Sequence, residues 1–436
     1  MVLEGVGVRP SVDAGRILRA AEAAAPVEAI EQAARELGRA FDAVSVSFLI
    51  ADLSGRGLVR LAHVPLHPGR PASPSSWMVG ERRADEESAT VLPFDGGPAE
   101  QSVRTQSLQV LPPGSTDDPD HAGLWRVLAP VTERGEAIGL LDLHLPEEPG
   151  DEVLAQVAEL AHAFAFVVMA NRRHTDLFEW GQRTRSFSLS AEIQQRLLPH
   201  ARTCEAAAFT LAGWLEPAAT IGGDTFDYSL ARDLLHLSLT DAMGHGVQSA
   251  LIASVCMGSL RGSRRRGGSL LEQVQAANQA IADLGSDEYV AGLVARLDLR
   301  TATVDVVNAG HVPPFLLRGT EVRPLELHVD LPLGMFSGTT YGTTSHALEP
   351  GDRLVFVTDG MLERDVSAVD LPRAIRETKD LHPREVVRAL ADAALAAAGN
   401  GLEDDATVLC VDWYARHEQP RVAVAGAEPR LASGPL

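Results

Sequence analysis

Residues Leu234–Gly246 read LLHLSLTDAMGHG, a largely apolar run that ends on Asp241 and then passes through Gly244, His245 and Gly246 before a helix-like stretch begins. A buried strand rarely ends on a bare carboxylate, because an unpaired charge in a low-dielectric interior is costly. Yet the chain repeats the arrangement. TIGGDTFDY (Thr220–Tyr228) sets Asp224 after a glycine pair, with Asp227 three residues on. RLVFVTDGMLE (Arg353–Glu363) is an apolar strand ending at Asp359, and GLEDDATVLCVDW (Gly401–Trp413) sets Asp404 and Asp405 just before another. Strand ends of this kind can converge if a divalent cation sits between them. Oxygen ligands from Asp, backbone carbonyls and water suit Mg or Mn rather than Zn or Cu, and the neighbouring glycines let carbonyls and water come close. One Asp-Gly after a strand is ordinarily a turn. Four such sites carry more weight, and no D-x-D-x-D-G loop is present to favour an EF-hand.

GGDTFDY, DAMGHG, NAGHVPP, LPLGMF, VTDGMLE and DDATVLCVD, taken in order, resemble the successive motifs of the SpoIIE/RsbU-type branch of the metal-dependent (PPM) serine/threonine phosphatases. The resemblance runs from about Ala191 to Trp413. It implies an α+β unit: a sandwich of two antiparallel sheets flanked by helices, with two Mn or Mg ions at one end. Asp241 would bridge both ions and the Ala242 carbonyl would ligate one. Asp359 and Asp404 would hold the other, and Asp224 would act on the pair directly or through water. Asp227 and Asp405 would lie close by or serve as occasional ligands. Ala242 stands where the branch often has Val, and Thr225 where an aromatic is common, but neither change removes a ligand. Two such ions, roughly 3.5–4 Å apart, activate a water for in-line attack on phosphorus, so no nucleophilic Ser or Cys is required. His245 and His311 could be general acids, though orienting loops through backbone bonds is the simpler role. RGSRRR (Arg261–Arg266) could grip phosphate but is expected to be a solvated loop between helices. The implied substrate is a phosphoserine or phosphothreonine protein, a STAS-type anti-sigma-factor antagonist acting in trans. The contrasting reading is a PPM-like module that binds a partner without turnover.

The remaining sequence sets the context. Its 436 residues suit two or three domains, and 45% hydrophobic with 22% charged residues is ordinary globular composition. A formal net charge of −21 argues against nucleic acid or an anionic membrane as the main partner. Lys379 is the only lysine, which excludes P-loop chemistry. Cys204, Cys256 and Cys410 lack metal or CxxC spacing and suit reduced thiols in the cytoplasm. The N-terminus has no basic, apolar leader pattern, and Val153–Ala170 carries polar residues at helical spacing, so a buried helix is expected there.

Five segments follow: an extension (1–13), an α/β domain (14–170), a helical linker (171–199), the phosphatase-like domain (200–415) and a disordered tail (416–436). The first domain should begin with a helix over Ile17–Phe41 and carry an irregular segment over Pro65–Pro98. Its helix–strand–strand–loop–strand–strand–helix order resembles a GAF-type sensor, most clearly in LAPVTERGEAIGLLDLHL. A dimerisation platform without a ligand is the alternative. The linker, if one helix, would place Trp180 and Phe187 a heptad apart and pair two chains in parallel as a homodimer.

Overall fold

In the computed structural model the described residues are 13–66, 91–115, 121–183, 187–217, 223–244, 246–285, 287–362, 369–399, 402, 404–415 and 420–435. They form two compact units, 1–185 with 423–436, and 186–422.

The N-terminal unit contains α1 (Ala14–Ala23), α2 (Ala29–Ala40), β1 (Ser45–Ala51), β2 (Gly57–Pro65), β3 (Val91–Pro93), α3 (Pro98–Thr105), β4 (Gln109–Leu111), β5 (Trp125–Glu133), β6 (Glu136–Leu145), α4 (Asp151–Asn171) and α5 (Leu177–Gly181). The strands make one sheet in the order β3-β2-β1-β6-β5-β4, antiparallel at every pairing. Alternation along the strands sorts the side chains between two faces. Val46, Phe48, Ile50, Leu141 and Leu143 pack under α1, α2, α4 and α5, while Leu49, Leu58, Leu128 and Leu140 pack with Ala99 and Val103 of α3. The single helix expected over Ile17–Phe41 is two helices. Pro26 lacks an N–H and clashes with a preceding helical turn, and Ala24 is already extended. Of the irregular Pro65–Pro98 segment, residues 67–90 lie outside the described residues. Among the described residues α4 is the one helix long and apolar enough to cross a membrane, and its Leu160, Phe164 and Val168 are buried in the sheet core.

The linker is not a continuous helix. α4 stops at Asn171, whose side-chain amide donates to the Val167 carbonyl (2.9 Å), and α5 is a separate helix of five residues. Phe178 is fully buried, and Leu177 and Trp180 pack against the same core. Burying these rings in their own unit wins over extending a lone helix that would leave them in water. Trp180 and Phe187 therefore do not lie on one continuous helix.

The second unit contains α6 (Leu189–Leu197), β7 (Thr203–Glu205), β8 (Phe209–Glu216), β9 (Asp224–Leu230), β10 (Leu234–Ala242), α7 (Gly246–Arg265), α8 (Leu270–Ala282), β11 (Val290–Asp298), β12 (Thr303–Ala309), β13 (Phe315–Arg318), β14 (Glu321–Pro324), β15 (Val329–Asp330), β16 (Thr344–Ala347), β17 (Arg353–Val357), α9 (Leu371–Glu377), α10 (Pro383–Ala398) and β18 (Ala406–Trp413). One sheet runs β15-β12-β11-β10-β9, with β16 also on β12, and the other runs β14-β13-β17-β18-β8-β7. Phe226, Leu239, Phe356 and Leu409 belong to the core between the sheets. α7 and α8 cover the outer face of the first sheet, and α9 and α10 cover that of the second. These four layers explain why β17 and β18 read as largely apolar runs, since both of their faces are buried. All three cysteines are buried and none forms a disulfide.

The tail also departs from expectation. Residues 416–419 lie outside the described residues, but Ala427, Glu428 and Ser433 are almost fully buried within the N-terminal unit. Its Ala-, Pro- and Arg-rich composition masked a segment that docks through backbone bonds rather than through a large apolar face.

Candidate metal centre

Side chains two apart on a strand share a face, so the core residues predict what stands at the end of the sandwich. Two positions before Phe226 is Asp224, and two beyond Leu239 is Asp241. Two beyond Phe356 is Thr358, and two before Leu409 is Thr407. Thus the inner faces of four strands change together from apolar to polar at one end. β9 and β10 pair so that Asp224 and Asp241 are direct cross-strand partners. Asp224 is 2% exposed, and its Oδ2 accepts hydrogen bonds from the hydroxyls of Thr358 (2.7 Å) and Thr407 (2.5 Å). Asp359 follows Thr358 on a 3-10 turn, and Asp404 and Asp405 lead into β18.

Two glycines permit the close backbone approach. A Cβ on Gly223 would lie 2.4 Å from the Ala242 carbonyl oxygen, and one on Gly360 would lie 2.1 Å from that of Asp405. Neither distance is tolerable for a side chain, so Ala242 and the 404–405 backbone reach their positions only beside glycine.

The carboxylates repel one another. Burial, then Asp241 and Asp405, raise the Asp224 pKa well above its ordinary value. Burial, then Asp359, Asp404 and Asp405, raise that of Asp241 to about 7. Asp404 is raised too, by burial and Asp359. Acids on four separate chain segments therefore share one field. Oxygen donors with excess negative charge and a cradle that only glycine allows fit a hard divalent cation. Among the described residues, however, no three of these groups close into a ready ligand set.

Asp227 belongs elsewhere. It faces away from Asp224 and is held by Arg261 (2.8 Å) and Arg264 (2.9 Å). Those arginines lie inside α7, so RGSRRR is not a solvated loop for most of its length, and the two are committed to Asp227. Asp405 points into the site, where its Oδ2 accepts from the side-chain amide of Gln194 (2.5 Å) and from the Gly223 N–H (3.3 Å). His245 is outside the described residues. His311 is held by Asn308, which bonds both its N–H and its carbonyl, while its Nδ1 lies 3.0 Å from the Val312 carbonyl. A carbonyl can only accept, so Nδ1 carries the proton. Burial keeps the ring neutral despite the pull of Asp359, which suits orienting a loop.

Sequence reasoning missed three participants. Thr358 and Thr407 could have been found from the two-residue spacing to Phe356 and Leu409. Gln194 of α6 is 1% exposed, and its amide also donates to the Asp224 carbonyl (2.8 Å). A glutamine on a short helix gives no comparable signal.

Residues 231–414 match the SpoIIE family (Stage II sporulation protein E). Stage II sporulation protein E of Bacillus subtilis (strain 168) is 24% identical over 197 residues, 44% of this chain and 24% of that protein. Phosphoserine phosphatase RsbU of the same organism is 22% identical over 249 residues, 55% of this chain and 74% of the relative. The structure of the RsbU and RsbW domains of Rv1364c from Mycobacterium tuberculosis aligns with a TM-score of 0.43 at 26% identity, over 48% of this chain and 61% of that one. The match thus spans about a quarter of the sporulation protein's own length.

Proposed function

We propose that this chain, whose residues 231–414 match the SpoIIE family, is a metal-dependent protein phosphatase of the SpoIIE/RsbU branch of the PPM phosphatases, a reading supported by its similarity to a relative named a phosphoserine phosphatase. The observation that carries the reading is the field of mutually repelling carboxylates at one end of the sandwich, held by Asp224, Asp241, Asp359 and Asp404. Asp241 and the Ala242 carbonyl would hold one of two Mn or Mg ions, with Asp241 also reaching the other, which Asp359 and Asp404 complete. Asp224 sits behind them, fixed by Thr358 and Thr407. Bound there, the ions supply charge neutralisation of the phosphoryl oxygens and an activated water. The chain's own groups place those ligands and hold their charge in a buried site, where electrostatic effects are strongest. Gln194 ties α6 to both Asp405 and the Asp224 backbone, so a displacement of α6 would disturb the acids directly.

The substrate would be a phosphoserine or phosphothreonine protein, a STAS-type anti-sigma-factor antagonist in a cytoplasmic partner-switching pathway. This reading draws on the relative named a phosphoserine phosphatase. The N-terminal unit would be a GAF-like sensor that regulates it. The second reading, a PPM-like module without turnover, draws on the lack of a closed ligand set among the described residues. The presence of all four acids weighs against it. Hydrolysis of p-nitrophenyl phosphate with Mn decides between them. Activity in the wild type and its loss in Asp241→Asn support the phosphatase, and equal rates in the two proteins overturn it.

A further inference from the structure

The C-terminal residues fold back into the N-terminal unit although β18 belongs to the other one. Val424 and Ala427 exchange backbone bonds (2.7 and 3.2 Å) across a tight turn whose central residues, Ala425 (φ 49°) and Gly426 (φ 93°), both have positive φ. That is the backbone of a type I′ turn. The turn is seated on the β5–β6 hairpin. The Thr132 hydroxyl donates to the Ala425 carbonyl (3.0 Å), and the Gly135 N–H donates to that of Gly426 (3.1 Å). A Cβ on Gly426 would stand 2.1 Å from the Thr132 carbonyl oxygen and 2.6 Å from Nδ1 of His162 on α4. Only glycine fits between hairpin and helix. Further on, the Arg104 side chain of α3 donates to the Gly434 carbonyl (3.0 Å).

The preceding residues are anchored in the catalytic unit. Arg421 pairs with Glu205 of β7, which also accepts from His382 Nε2 (3.3 Å). His382 Nδ1 accepts the Arg384 N–H (3.1 Å), so Nε2 must carry the proton. Burial raises the Glu205 pKa, but the bonds from His382 and Arg421 together hold it below the ordinary carboxylate value. The anchor is thus a charged, buried group with fixed partners, two strands along the sheet from β18.

We infer that residues 423–435 are a regulatory strap, a second covalent crossing in addition to residues 171–199, whose seating on the β5–β6 hairpin and α4 transmits the state of the N-terminal unit to β7. Seating uses few side chains and mostly backbone bonds, so it can be released without unfolding either unit. The effect on turnover rests on the phosphatase reading, whereas the seating and its transmission to β7 do not.

Hydrogen exchange on the full chain tests this, comparing wild type, Thr132→Val and a chain ending at Val422. Thr132→Val removes only the hydroxyl and keeps the side chain's shape. Both variants are expected to speed exchange of the Gly135 amide at least tenfold, to speed exchange in Thr203–Glu205, and to change p-nitrophenyl phosphate turnover at least threefold. Unchanged Gly135 exchange in the truncated chain overturns the seating. Faster Gly135 exchange with β7 unaltered overturns the transmission. A wild type without turnover contradicts the phosphatase reading alone, and the exchange results still decide the strap.

Discussion

Asp241 is asked to be ionised in a place that resists its ionisation. Burial and the charges of Asp359, Asp404 and Asp405 lift its pKa to about 7 from 3.8. Between those values the metal-free folded state binds more protons than the unfolded one, so stability falls as pH rises through that window. The predicted loss is on the order of 1–3 kcal/mol after allowance for partial solvent access. Mn should abolish this slope, and Asp241→Asn should raise the metal-free melting temperature while removing the Mn effect; thermal unfolding in chelator at pH 5 and pH 7 checks both. Gln194→Leu is a second residue-scale case. It strips Asp405 of a buried donor, which costs about 1–3 kcal/mol. Because Asp405 faces the proposed cation ligands, apparent Mn affinity in the hydrolysis assay should weaken about tenfold or more. Unaltered Mn dependence would show that Gln194 only fills space.

At the scale of elements, α5 makes the sharpest claim. Trp180 packs on its own unit's core and Phe178 is buried there, so Trp180→Glu should destabilise that unit by about 2–4 kcal/mol. Sedimentation should show no change in association, whereas dissociation of a wild-type dimer would restore the paired-linker picture. The linker also shows what the sequence concealed. Trp180 and Phe187 stand a heptad apart, but spacing reports only which residues seek burial. It does not say whether the partner is another chain or the adjoining sheet. β9, β10, β17 and β18 were legible because a carboxylate ending an apolar strand contradicts burial, and contradictions stand out. Thr358 and Thr407 contradict nothing, since a hydroxyl at a strand end is unremarkable until Asp224 is placed against it. Asp227 misled for the opposite reason: its charge is satisfied by Arg261 and Arg264, thirty-odd residues away in sequence and visible only after folding.

For the whole molecule, the two units should answer acid in opposite ways. In the N-terminal unit His144 is pushed down to about 4 from 6.5 by burial, with Asp142 opposing and His121, Arg126 and His63 adding to the shift. Its stabilising effect is complete above 6.5 and is lost as pH falls towards 4, because the unfolded state then binds the extra proton. In the metal-free second unit the raised Asp224, Asp241 and Asp404 give the reverse slope, opposed in part by the burial-lowered His236, His311 and His382. Two thermal transitions that move apart between pH 4 and pH 7, one rising with pH and one falling, are the expected result by calorimetry. Parallel slopes would contradict the assignment of the charged groups to their units. The central claim, that the acid end of the sandwich is a site for two divalent cations, is tested most directly by counting them. Isothermal titration of the chelator-treated chain with Mn at pH 7 should give two ions per chain, with binding abolished in Asp241→Asn and reduced in Asp404→Asn. No saturable binding, or binding that both variants leave intact, would contradict it.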